Sequence, residues 1–213
     1  MGAIGVPVGG AGVAPDPSGC HGRWVATGND VTQAASEMLA VLGPQVGRDW
    51  TVAAGGLKWS CWTTAAHVAH DLLAYAGQVA GAPTDGYLPF DLVVSPTATP
   101  AEVLEVVRAG AGLLRAAVDT AGPQVRAWHF GPCDAAGFAA MGVAETLLHT
   151  DDIVRGLGVP WRIPPQLAAV VVARLFPDAP AGPAPEVLRW LTGRGTMPGR
   201  PRRTSWTWRA ARG

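Results

Sequence analysis

The stretch AETLLHTDDIVRGLG, residues 144–158, decides how this chain folds. It sits in a mainly apolar run from about residue 134 to residue 157, with Gly158 and Pro160 as stop signals. That pattern predicts one long, buried helix. Into this helix the sequence sets Glu145, His149 and Asp152. At 100° per residue Glu145 and His149 lie about 40° apart, and Asp152 about 20° to the other side of Glu145. Phe138 and Met141 fall on the same stripe, so a face that starts apolar turns polar without changing direction. Titratable groups on a core-facing stripe must be paired, protonated or bound to metal. On spacing alone an internal salt bridge in a groove explains them, because E-x-x-x-H is a weak pattern.

Three further long helices surround this one. The first is predicted from Asn29, a good N-cap, with Val31, Ala34, Met38 and Leu42 at helical spacing and Gly43-Pro44 as its stop. The second runs from Cys61 to Ala80, with Ser60 as cap and Gly81 as terminator. The third has the clearest start, where Thr99-Pro100-Ala101-Glu102 offers a capping box with proline at the first helical position. Shorter helices are expected near 165–176 and 185–192, before a tail rich in Trp and Arg. Residues 1–28, rich in Gly and Pro, are expected to be a flexible arm. The fold class is therefore all-α: a four-helix bundle over residues 29–213 with short extra C-terminal helices. The long segment between the second and third helices, in which DLVV is not forced into a strand, permits a crossover between non-sequential neighbours.

Composition narrows the function classes. The chain has 213 residues, 48% hydrophobic and 15% charged, with a formal net charge of zero. That is a globular chain, and its neutrality argues against general polyanion binding. Lys58 is the single lysine among 16 basic residues, a bias typical of GC-rich coding. The three cysteines, Cys20, Cys61 and Cys133, are scattered without a CxxC pair, which fits the reducing cytoplasm better than a disulfide scaffold. No signal peptide and no membrane-spanning run is expected. Arg189, Arg194, Arg200, Arg202, Arg203, Arg209 and Arg212 accompany Trp190, Trp206 and Trp208, an interleaving that can grip single-stranded nucleic acid. Net neutrality and the lack of a recognised motif favour packing of these tryptophans on the bundle, and no nucleic-acid partner is expected. Cys61, at a helix N-terminus ahead of two histidines, is a conceivable nucleophile, although such cysteines usually serve as small packing residues.

A metal would need a further ligand from another helix, and WSCWTTAAHVAHD in the second helix supplies His67 and His70. They differ by about 60° in phase and both flank the stripe of Val68, Leu72, Tyr75 and Val79. One of them with Glu145 and His149 makes a His₂Glu set, the composition of catalytic zinc sites that keep a coordination position open.

WSCWTTAAHVA followed by GVAETLLHTDDIVRGLG resembles the actinobacterial DinB-like family, more narrowly the N-terminal domain of mycothiol-dependent maleylpyruvate isomerase. The resemblance rests on Trp59, His67-Val68-Ala69, Glu145, His149, Asp152 and Gly158, and covers about residues 29–160. It implies a divalent metal, zinc by its donors, held by His67, Glu145 and His149. His70 is the alternative ligand, because Trp62 to His70 repeats the spacing of Trp59 to His67. Asp152 is a supporting residue. It also implies mycothiol as a thiol cofactor and a small electrophilic substrate, hence a thiol-dependent transferase or isomerase, with a homodimer as the candidate assembly. By its length the chain is expected to end before the separate C-terminal domain of that isomerase, which contributes to the isomerase's active site. The alternative is a non-catalytic bundle that binds metal or a small ligand.

Overall fold

A computed structural model describes residues 25–211. The bundle consists of α1 (Gly28–Leu42), α2 (Cys61–Gly81), α3 (Pro100–Thr120) and α4 (Ala135–Gly156), followed by α5 (Pro165–Leu175) and α6 (Ala184–Leu191). Residues 1–24 of the expected arm lie outside the described residues. The remaining part is ordered: Ala26 is buried, and Thr27 caps α1.

Asn29 is not the N-cap of α1. Thr27 accepts from the Asp30 amide and Asp30 accepts from the Thr27 amide at 2.8 Å, closing a capping box two residues upstream. The reciprocal bond decides this, because an acid stands three residues after Thr27 whereas Thr32 stands three after Asn29. The other starts agree with the sequence. Ser60 caps α2, Thr99 and Glu102 form the capping box of α3, and Asp134 caps α4.

The helices do not pack in chain order. α2 lies along α3, and α1 packs on both α3 and α4, while α2 also packs on α4. Consecutive helices α1 and α2 thus stand across the bundle from each other. α4 touches α1, α2, α3 and α5, and all its residues from Gly137 to Val154 are buried. A helix covered on every side can be apolar all round, and its few polar residues must find partners inside the protein.

The sequence did not predict the hairpin ahead of α4, nor the short 3-10 turn Gly43–Gln45 after α1. Ala127–Trp128 (β1) and Pro132–Cys133 (β2) form a small antiparallel hairpin between α3 and α4. Gln78 of α2 fastens it to the long α2–α3 loop. Its Nε2 donates to the Trp128 carbonyl at 2.9 Å, and its Oε1 accepts from the Leu88 amide at 2.9 Å. Two-residue strands carry too little alternation to be read from sequence.

The C-terminal tail folds back onto the helices. Trp190 donates to the Pro201 carbonyl at 3.0 Å, and the guanidinium groups of Arg200 and Arg203 lie over its ring. The Arg209 amide donates to Leu175, Arg209 pairs with Asp178 at 3.3 Å, and Trp208 packs on the core. Among the described residues no helix is long and apolar enough to cross a membrane.

Candidate metal centre

α2 and α4 bring His67, Glu145 and His149 together. One candidate ligand atom from each lies within 4.8 Å of the other two. Glu145 Oε2 is 3.6 Å from His67 Nε2 and 3.1 Å from His149 Nε2. Glu145 and His149 follow the i,i+4 relation read from the sequence, and the α2–α4 packing supplies His67 from the opposite side.

A second layer of side chains orients this group. His149 Nδ1 meets Asp152 Oδ2 at 3.1 Å, which leaves Nε2 free to face Glu145. Asp152 is gripped by Arg194, from the turn after α6, through Nε at 3.1 Å and Nη2 at 2.8 Å. A carboxylate behind an imidazole is the usual way that a protein fixes the tautomer and direction of a metal-binding histidine. The neighbouring Asp151, fully buried, takes Arg189 of α6 as its partner.

Burial would raise the pKa of Glu145, but the hydrogen bonds and charges of His149 and His67 outweigh it and hold the carboxyl down to about 2. Burial would likewise lower His149, but Asp152 and Glu145 push it up to about 9. Asp152 is also held low, with His149 and Arg194 overcoming burial. A buried carboxylate kept ionised beside two imidazoles is a donor group of a kind that can hold a metal ion once His149 gives up its proton. The donor set suits a divalent ion of zinc's preferences, and three protein donors leave a position for an exogenous ligand.

The three donors line a cleft of about 290 Å³ together with Leu57, Lys58, Trp59, Leu148, Arg194 and Trp206. The Trp59 ring lies 4.9 Å from that of His67 and 6.3 Å from that of His149. The loop carrying Trp59 can pass this close because Gly55 adopts φ +53, and a Cβ there would sit 3.3 Å from the Asp152 carbonyl oxygen.

The other candidates fall outside this trio. His70 faces away from Glu145 and His149: Nδ1 contacts Asp71 at 3.0 Å and Nε2 contacts Asp91 at 3.2 Å. His67, His70 and Asp71 form an overlapping cluster with metal-compatible spacing, more exposed than the first. Trp62, the other arm of the repeated spacing, donates to the Ala98 carbonyl at 2.8 Å instead of facing a histidine. Cys61 is fully buried with its thiol near the Ile153 carbonyl, and burial, aided by Asp49, pushes it up to about 11. Both features suit a packing residue better than a nucleophile.

Sequence reasoning missed two residues. Asp71 Oδ2 lies 3.3 Å from His67 Nε2, at the same i,i+4 spacing that singled out Glu145 and His149, so the signal was available. Arg194 is 42 residues from Asp152, and no local pattern announces it.

The fold is similar to the crystal structure of a mutant of mycothiol-dependent maleylpyruvate isomerase. The superposition has a TM-score of 0.51 and 17% identity, and covers 79% of this chain and 90% of that one, so the expectation that this chain is too short to span that isomerase does not hold. No curated protein sequence matches the chain. The family model described as the mycothiol maleylpyruvate isomerase N-terminal domain matches residues 29–154, from the start of α1 to the end of the stripe bearing Glu145, His149 and Asp152. This chain belongs to the mycothiol maleylpyruvate isomerase N-terminal domain family.

Proposed function

We propose that the protein is a metal-dependent enzyme of the cytoplasm that uses a low-molecular-weight thiol, mycothiol in its family context, to add to or isomerise a small electrophile. His67, Glu145 and His149 are the metal ligands, and zinc is the ion that the donor set favours. The observation that carries this reading is the convergence of the three donors on one cleft, with His149 aimed by Asp152 and Arg194. A bound divalent ion with an open position lowers the pKa of a thiol and holds it as thiolate.

The chain's own groups supply the rest. Glu145 stays ionised and offers its charge to the site. Asp152 fixes the His149 ring and balances its charge. Trp59 and Trp206, both partly exposed, form apolar walls of the cleft, and Lys58 adds a positive charge to its lining, the charge of Arg194 being paired with Asp152. An anionic substrate or thiol is drawn to such a charge.

Elemental analysis of the purified protein and its variants tests the reading. About one equivalent of metal is expected in wild type and in His70→Ala, and a large loss in His67→Ala and Glu145→Ala. Stoichiometric metal retained in both of the latter would refute the assignment. Loss in His70→Ala alone would move the site to the His67–His70–Asp71 cluster. Metal-loaded protein that transfers mycothiol to none of a panel of electrophiles would leave a metal-binding bundle without catalysis.

A further inference from the structure

A second cavity lies on the other side of the His67–Asp71 contact. It holds about 290 Å³ between α2 and the α2–α3 loop, lined by His70, Asp71, Ala74, Tyr75, Gln78, Tyr87, Leu88 and Phe90. We propose that this cavity is a binding site for a small, flat, uncharged aromatic compound bearing a hydrogen-bonding substituent, a phenol being the simplest example.

The walls set the shape. Tyr75, Tyr87, Phe90 and the His70 ring surround the space, and its size is near the lower end of ligand pockets, roughly 300 Å³. Tyr87 and Phe90 remain 48% and 46% exposed, apolar surface that an aromatic guest would cover. The loop is seated firmly. Gln78 ties Leu88 down, and a Cβ on Gly77 would come within 2.9 Å of Phe90 Cζ, so glycine there lets the ring lie against α2.

One polar group selects the ligand. Tyr75 is only 7% exposed, lines the cavity, and its hydroxyl makes no hydrogen bond among the described residues. The hydroxyl is not among the buried polar atoms that lack a partner, so water reaches it, and a ligand's oxygen would take the place of that water. The neighbouring polar groups are already engaged: Gln78 by Gly86, Trp128 and Leu88, and Tyr87 by His129 Nδ1 at 2.7 Å. The charge nearby is negative, since Asp71 lines the cavity and Asp91 sits on His70. Anionic guests are therefore disfavoured here, whereas the lining of the metal cleft carries Lys58.

Position gives the pocket a use. Asp71 lines this cavity while His67, 3.3 Å away, lines the metal cleft. The pocket would hold the phenol ring of an acceptor that carries a conjugated carbonyl, the thiolate in the cleft adding to the β-carbon while the α-carbon takes the proton. That use rests on the thiol-transfer reading, whereas the binding site itself does not.

Titration of the full-length protein with phenol, followed by calorimetry or ligand-observed NMR with and without metal, tests the proposal. Saturable binding is expected in both forms, with benzoate at least tenfold weaker. Tyr75→Phe should weaken phenol about five- to tenfold, the worth of one hydrogen bond. Ala74→Leu should abolish binding by filling the space, with metal content and the helical spectrum unchanged in both variants. No saturable phenol binding by wild type, or binding unaffected by both variants, overturns the proposal. Phenol binding retained in a protein that holds no metal supports the pocket and removes only the metal reading.

Discussion

Arg194 closes on Asp152 through two nitrogens, at 3.1 and 2.8 Å, and Asp152 in turn holds His149 Nδ1 at 3.1 Å. The contact joins a residue beyond α6 to the polar stripe of α4, and it crosses the edge of the region that the family model matches. The C-terminal segment is thereby part of the centre's framework.

Removing Arg194 leaves an ionised carboxylate that is 1% exposed without its main partner. Arg194→Leu is expected to destabilise the fold by about 3 kcal/mol, the cost of breaking a buried pair. It should also weaken metal binding about 10- to 100-fold through loss of the support behind His149. Arg194→Lys recovers charge but not the two-nitrogen geometry, so it should fall between. Chelator competition and urea unfolding read the two effects separately, and unchanged metal affinity in Arg194→Leu would show that the contact is structural only.

Metal binding should depend on pH through His149. Its pKa is raised to about 9 in the metal-free fold, above the ordinary histidine value of 6.5. The stabilisation from its partners is therefore fully present below about pH 6.5 and is lost as pH rises through 9. Metal must displace that proton, so affinity should rise up to tenfold per pH unit until about pH 9, with proton release on binding. Glu145, lowered to about 2, works in the opposite sense: its contribution is present above 4.5 and lost as pH falls through 2. Calorimetry in buffers of different ionisation enthalpy measures the released proton, and flat affinity between pH 7 and 9 contradicts this account.

The buried thiols should be inert. Burial lifts Cys61 to about 11 and Cys133 to about 12, and both are close to fully buried. With Cys20→Ser removing the third thiol, a disulfide reagent at pH 8 should label neither of these two in the native state and both in denaturant. Rapid native labelling of Cys61 would reopen its candidacy as a nucleophile.

Gly55 is expected to resist substitution. At φ +53, with the Asp152 backbone only 3.3 Å from any added Cβ, Gly55→Val combines left-handed strain with a close contact. A loss of about 1–3 kcal/mol is expected, with altered Trp59 fluorescence as the loop lifts from His67. Thermal melts and emission spectra of Gly55→Ala and Gly55→Val give the size of each part.

Much of this protein was legible in its residues because the signals are local. Helical period and caps marked α2, α3 and α4 to within a residue or two, since a capping serine, threonine or aspartate bonds amides only two or three positions away. The i,i+4 relation put Glu145 and His149 on one face before any fold was known. Three-dimensional packing decided the rest. His67 and His70 are nearly equivalent on a helical wheel, and only the way that α2 meets α4 turns His67 to Glu145 and leaves His70 to Asp71 and Asp91. Arg194 could be matched with Asp152 only after α6 was in place, because ion pairing depends on distance in space and carries no signature along 42 intervening residues.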